Sequence, residues 1–229
     1  MKTLGIIGGL GPETTSEFYL NVIFSSYKKN KEFRPGIIIS SVPMPYKIEE
    51  EVITKNEGSE RLIPFLVNEA KRLEVAGADF LVMPCNSLHV FINEIRNSVN
   101  IPVLSIIEET TKFLKKNNFN KVGVVSTSAT IKNKLYENAF KENNIAYETP
   151  DAFEQAKMGK IILNLINGQQ NNADREELIK IISDFEKKNV DCVVLACTDL
   201  QLLIPEHPTL KIFDTMKIFA DVTVEEILK

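Results

Sequence analysis

Gly77-Ala78-Asp79-Phe80-Leu81-Val82-Met83-Pro84-Cys85-Asn86-Ser87 returns later in the chain as Asn189-Val190-Asp191-Cys192-Val193-Val194-Leu195-Ala196-Cys197-Thr198-Asp199. The offset is 197 − 85 = 112. Both stretches run from an aspartate through an apolar segment to a cysteine followed by small polar residues. Working outward, two more matches appear. Upstream, Leu4-Gly5-Ile6-Ile7 followed by Gly8-Gly9-Leu10-Gly11 corresponds to Val122-Gly123-Val124-Val125 followed by Ser126-Thr127-Ser128-Ala129-Thr130, at an offset of 123 − 5 = 118. Downstream, Pro102-Val103-Leu104-Ser105 and Lys211-Ile212-Phe213-Asp214-Thr215 each lead into a helical segment. Three matches in one order at similar offsets read as an internal duplication.

Each half alternates short β-branched runs with longer amphipathic segments. The pattern predicts strands at 3–7, 36–41, 79–83 and 102–104, with helices at 12–29, 57–76, 87–98 and 105–117. In the second half it predicts strands at 121–125, 145–148, 191–195 and 211–213, with helices at 129–143, 152–167, 173–188 and 216–228. Strands alternating with helices of this length imply parallel sheets flanked by helices. The expected fold is α/β, with two lobes related by a pseudo-twofold. One lobe would take residues 1–104 plus 214–229 and the other 105–213. The cleft between them is the expected ligand site, because open parallel sheets bind ligands at strand carboxyl ends.

Composition is that of an ordinary globular chain, with 229 residues, 44% hydrophobic and 25% charged. A formal net charge of −4 offers no basic field for nucleic acid or anionic lipid. The opening strand-like run does not resemble a signal peptide, and no apolar run reaches the ~18 residues of a membrane span. Three cysteines without metal-type spacing, and only two histidines, suggest reduced thiols in the cytoplasm and no metal site.

Cys85 and Cys197 each end an apolar strand and precede a helix, where helix N-termini favour a thiolate. Either could be a buried structural cysteine. Two at symmetry-equivalent turns point instead to paired chemistry, one base and one acid on opposite faces of a carbon. A thiol with a reference pKa of ~8.5 can serve in either form. Cys192, inside an apolar run, reads as core. Gly8-Gly9-Leu10-Gly11-Pro12 lacks dinucleotide spacing and a Walker lysine. It reads as a tight loop whose backbone N–H groups could hold a carboxylate. Thr127 and Thr130 could hold a second carboxylate or be helix N-caps. His89 could orient the site or only pack. Lys157 and, more weakly, Lys47 could bring positive charge to a substrate or be exposed surface lysines.

The Ile6-Ile7-Gly8-Gly9-Leu10-Gly11-Pro12 start, the Met83-Pro84-Cys85-Asn86-Ser87-Leu88-His89 loop, the Ala196-Cys197-Thr198-Asp199-Leu200 loop and Phe213-Asp214-Thr215 together resemble the cofactor-independent aspartate/glutamate racemases. The resemblance spans essentially the whole chain. It implies a two-lobed α/β enzyme, often a homodimer, that uses no cofactor and no metal. It implies that Cys85 and Cys197 are the proton-transfer pair and that Leu10, Asn86, Ser87, Thr127, Lys157 and Thr198 contact an acidic amino-acid substrate. Ser87, Asp199, Ala196 and Leu10 depart from the residues many members carry (Thr, Glu, Gly and Met), and Lys47 stands near where some carry an arginine. These departures bear on the choice between aspartate and glutamate. A related isomerase, such as a maleate isomerase or hydantoin racemase, is the alternative. A binding protein that has lost turnover is the third reading.

Overall fold

A computed structural model describes residues 1–48, 51, 58–203 and 206–229. The chain forms two compact units, Met1–Ile106 with Phe219–Lys229, and Ile107–Ile218. The first is built on three parallel strands, β1 (Leu4–Gly8), β2 (Ile37–Ser41) and β3 (Phe80–Val82), in the order β2-β1-β3. The second is built on β4 (Lys121–Ser126), β5 (Ala146–Glu148), β6 (Cys192–Ala196) and β7 (Lys211–Asp214), in the order β5-β4-β6-β7. All pairings are parallel. The central strand in each sheet is apolar on both faces because helices cover both. Thus β1 is buried along its whole length, and β4 everywhere except the half-buried Lys121.

Strand pairing repeats the duplication residue by residue. Gly5 faces Leu81 and Gly123 faces Val193. These partners differ by 123 − 5 = 118 and 193 − 81 = 112, the two offsets read from the sequence. The same correspondence extends to side chains. Asp79 accepts the Thr3 N–H at 2.6 Å, and Asp191 accepts the N–H groups of Asn120 and Lys121 at 2.7 and 2.9 Å. Each aspartate therefore ties the start of its unit's central strand to the strand beside it. Gly5 leaves room for the Leu81 side chain of β3, and Gly123 for the Phe185 ring at the end of a helix. A Cβ on Gly5 would stand 2.5 Å from Leu81 Cδ2, and one on Gly123 2.9 Å from the Phe185 ring.

Several elements are shorter than the periodicity predicts. Strand 102–104 is a single parallel bridge from Val103 to Leu81. The segment 87–98 is a 3-10 turn, Ser87–Phe91, followed by a helix, Ile92–Arg96. The segment 129–143 breaks into Ser128–Lys132 and Leu135–Glu142, because Lys134 takes a left-handed conformation with φ 53°. The segment 173–188 is helical over Asn172–Asp184 and then tightens to a 3-10 turn, Glu186–Lys188. The described part of 57–76 is a 3-10 turn, Ser59–Leu62, and a helix, Ile63–Val75; residue 57 lies outside the described residues. The first long helix, α1 (Pro12–Lys29), has its expected bounds. Among the described residues no helix is long and apolar enough to cross a membrane.

Candidate active site

In the first unit three loops gather at the carboxyl end of the sheet, after β1, β2 and β3. Gly9 has φ +81°, and a Cβ there would fall 2.4 Å from Ser41 Oγ, so the loop after β1 can lie against the loop after β2 only as glycine. Thr15 holds the loop closed. Its Oγ1 accepts the Gly9 N–H at 2.9 Å and donates to the Gly11 carbonyl at 2.9 Å. The Gly9 N–H is therefore committed to Thr15, which restricts the carboxylate-cradle reading of this loop to other groups. Leu10 and Cys85 are both half-buried and pack against the apolar cluster that includes Met83 and Leu88.

Cys85 follows a tight turn across Pro84, in which its N–H donates to the Met83 carbonyl at 2.8 Å. The side chain is half-buried. Asn86 is buried, and its carbonyl accepts the His89 N–H at 3.1 Å. Ser87 is half-buried. His89 has both ring nitrogens engaged. Nε2 accepts the Ile106 N–H at 3.1 Å, so it carries no proton, and Nδ1–H then donates to the Cys85 carbonyl at 2.6 Å. His89 is thus a buried neutral imidazole that braces the Cys85 loop. Of its two sequence readings, orientation is the one this geometry supports.

In the second unit Cys197 continues β6 in extended conformation, with φ −137° and ψ 126°, and opens the 3-10 turn Thr198–Leu202. It is buried, as is Thr198. Its Sγ lies 3.6 Å from Asp199 Oδ2, a contact in which the thiol donates to the carboxylate. The equivalent of Asp199 in the first unit is Ser87, which carries no charge, so the two cysteines stand in unequal surroundings. Thr127 is the N-cap of Ser128–Lys132: its Oγ1 accepts the Thr130 N–H at 3.2 Å and lies 3.0 Å from the Thr130 hydroxyl. Lys157 Nζ is 2.6 Å from Glu177 and 4.5 Å from the Phe153 ring centroid. That ion pair holds the Glu177 carboxyl below its usual range. Lys47 is exposed in the first unit, beside the undescribed residues 49–50.

The family model described as Asp/Glu/Hydantoin racemase matches residues 7–223. The chain belongs to this family. A broad specificity amino-acid racemase of Bacillus subtilis is 27% identical over 98% of each chain. An aspartate racemase homologue from Pyrococcus horikoshii is 30% identical, with a TM-score of 0.83 over 100% of both chains. An aspartate racemase of Picrophilus torridus is 26% identical, with a TM-score of 0.82 over 100% of this chain and 95% of that one. As a member of the Asp/Glu/hydantoin racemase family the chain is an isomerase of the amino-acid racemase type.

Within this racemase fold, Cys192 is fully buried in β6, and burial with the neighbouring Asp191 pushes its thiol up to about 12. Treatment with iodoacetamide at pH 8 should therefore leave Cys192 unmodified in the folded protein, read by peptide mass spectrometry. Rapid alkylation of Cys192 without unfolding would contradict that placement. Two contributors escape sequence reading. Glu177 pairs with Lys157 across 20 residues of chain. Gln155 donates from Nε2 to the Ser126 carbonyl at 3.0 Å, which leaves its buried Oε1 without a protein partner. Neither has a motif, because each is defined by what the fold brings beside it.

Proposed function

We propose that this racemase interconverts the L and D forms of an acidic amino acid, aspartate foremost and glutamate second, without a cofactor. Cys85 and Cys197 would act as the two acid–base groups. One thiolate removes the Cα proton and becomes a thiol. The other thiol delivers its proton to the opposite face of the planar carbanion and becomes a thiolate. Inverting the carbon leaves the two sulfurs with exchanged protonation, ready for the reverse direction. The observation that carries this reading is the placement of both cysteines at corresponding positions of a duplicated strand–turn unit, each at a strand carboxyl end.

Other features support the reading. The contact of the Cys197 thiol with the Asp199 carboxylate favours the protonated form that a proton donor requires. The buried Gln155 Oε1 is an acceptor suited to a substrate ammonium group. Asn86, Ser87, Thr127 and Thr198 lie on the loops that follow the strands, where the substrate carboxylates would be held, with Leu10 alongside. For Lys157 to meet a substrate carboxylate it would exchange Glu177 for it. The domains would divide as 1–104 with 214–229 and 105–213, and the working form would be a cytoplasmic homodimer.

The Bacillus subtilis relative favours a second reading, a racemase with a wider range of amino acids. Incubation in deuterated water with each of several L-amino acids separates the two. Aspartate should give D-aspartate carrying deuterium at Cα. Turnover of neutral amino acids at comparable rates would favour the wider range. Conversion of maleate to fumarate with no exchange on any amino acid would sink both.

A further inference from the structure

Among the described residues, exposed large apolar side chains concentrate on one stretch of the first unit. Tyr19, Leu20, Phe24 and Tyr27 on α1, Phe33 just beyond it and Ile39 on β2 are all exposed. At 3.6 residues per turn, Leu20, Ile23, Phe24 and Tyr27 form one continuous stripe along the helix. The duplication supplies a control. The corresponding segment after β4 is the broken pair Ser128–Lys132 and Leu135–Glu142, and none of its large apolar side chains is exposed. The stripe therefore goes beyond what packing against the unit's own sheet requires.

We propose that this face of α1 is the contact between two copies of the chain, packed antiparallel about a twofold axis. This rests on the homodimer reading above and gives it a location. The argument is charge complementarity. Glu17 lies in the first half of α1 and Lys28 in its last turn, both exposed and on the same flank of the stripe. In an antiparallel pair, like flanks meet. A twofold placed to set Leu20 opposite the partner's Phe24 has its centre at Val22. One placed to set Glu17 against the partner's Lys28 has its centre between Val22 and Ile23. The two centres agree to within half a residue, ~0.8 Å along the axis. Apolar and ionic contacts thus ask for the same register, twice over in an isologous interface. Opposed helix dipoles favour it further. Ser16, Tyr19, Leu20 and Ile39 wall a depression of about 400 Å³ beside the stripe, where the partner's Tyr27 would seat. Aromatic residues of this kind are enriched at interface cores.

Sedimentation velocity over a concentration series, with circular dichroism to verify the fold, tests it. The parent chain should sediment as a dimer. Phe24→Asp, at a side chain 61% exposed, should keep the fold and raise the dimer dissociation constant at least ~30-fold. Glu17→Lys and Lys28→Glu should each weaken the dimer several-fold, and the double variant E17K/K28E should recover it. A parent chain that stays monomeric, its α1 face left to some other partner, overturns both the homodimer and this interface. A dimer indifferent to Phe24→Asp and to the charge exchanges overturns this interface alone.

Discussion

Replacing Cys85 or Cys197 by alanine should lower racemase turnover by at least ~10²–10⁴-fold, the contribution of one acid–base group. The loss should fall on kcat, because neither thiol is needed to hold the substrate carboxylates. Chiral chromatography of aspartate with each variant is the measurement. If both single variants racemise at the parent rate, the two-cysteine mechanism is dead. The surroundings predict a difference between them. Cys197 donates to a carboxylate, whereas Cys85 has Ser87 at the equivalent place and His89 braced against its carbonyl. Asp199→Asn should accordingly shift the pH profile in the direction that depends on Cys197, while Ser87→Ala should not.

Phe185→Ala should cost about 3–5 kcal/mol, the range for truncating a buried aromatic. The ring is 1% exposed and lies over Gly123, where there is no side chain to collapse into the void. Urea titration of parent and variant measures the loss. Adding Gly123→Ala to Phe185→Ala should recover part of it, since the new methyl fills space that the ring had occupied. In the parent background the same Gly123→Ala should destabilise, because its Cβ would meet the ring at 2.9 Å. A Phe185→Ala variant as stable as the parent would show that the ring does not anchor the helix to β4.

What could be read in advance was what repeats. Gly5 with Leu81 and Gly123 with Val193 are local in pattern and distant in chain, so comparing the halves exposes a register that neither half reveals alone. The helix breaks were hidden because they depend on single backbone conformations, as at Lys134, in a segment whose apolar spacing reads as continuous. The site was legible in its cysteines and less so in its supports. His89 could be singled out by position, but its tautomer follows from the Ile106 N–H seventeen residues away. Lys157 could be singled out by the family resemblance, but its pairing with Glu177 depends on how two helices pack. Asp199 sat within the quoted motif, yet its contact with Cys197 needed coordinates.

The division of the chain has a consequence for its synthesis. The second unit is one unbroken run, Ile107–Ile218, whereas the first needs Phe219–Lys229. Lys2 N–H donates to the Ile227 carbonyl at 2.8 Å, and Phe18 packs on Phe219 with ring centroids 5.6 Å apart. The half that leaves the ribosome first must therefore wait with part of its core uncovered until the last turns of the closing helix arrive. The half made second can finish first.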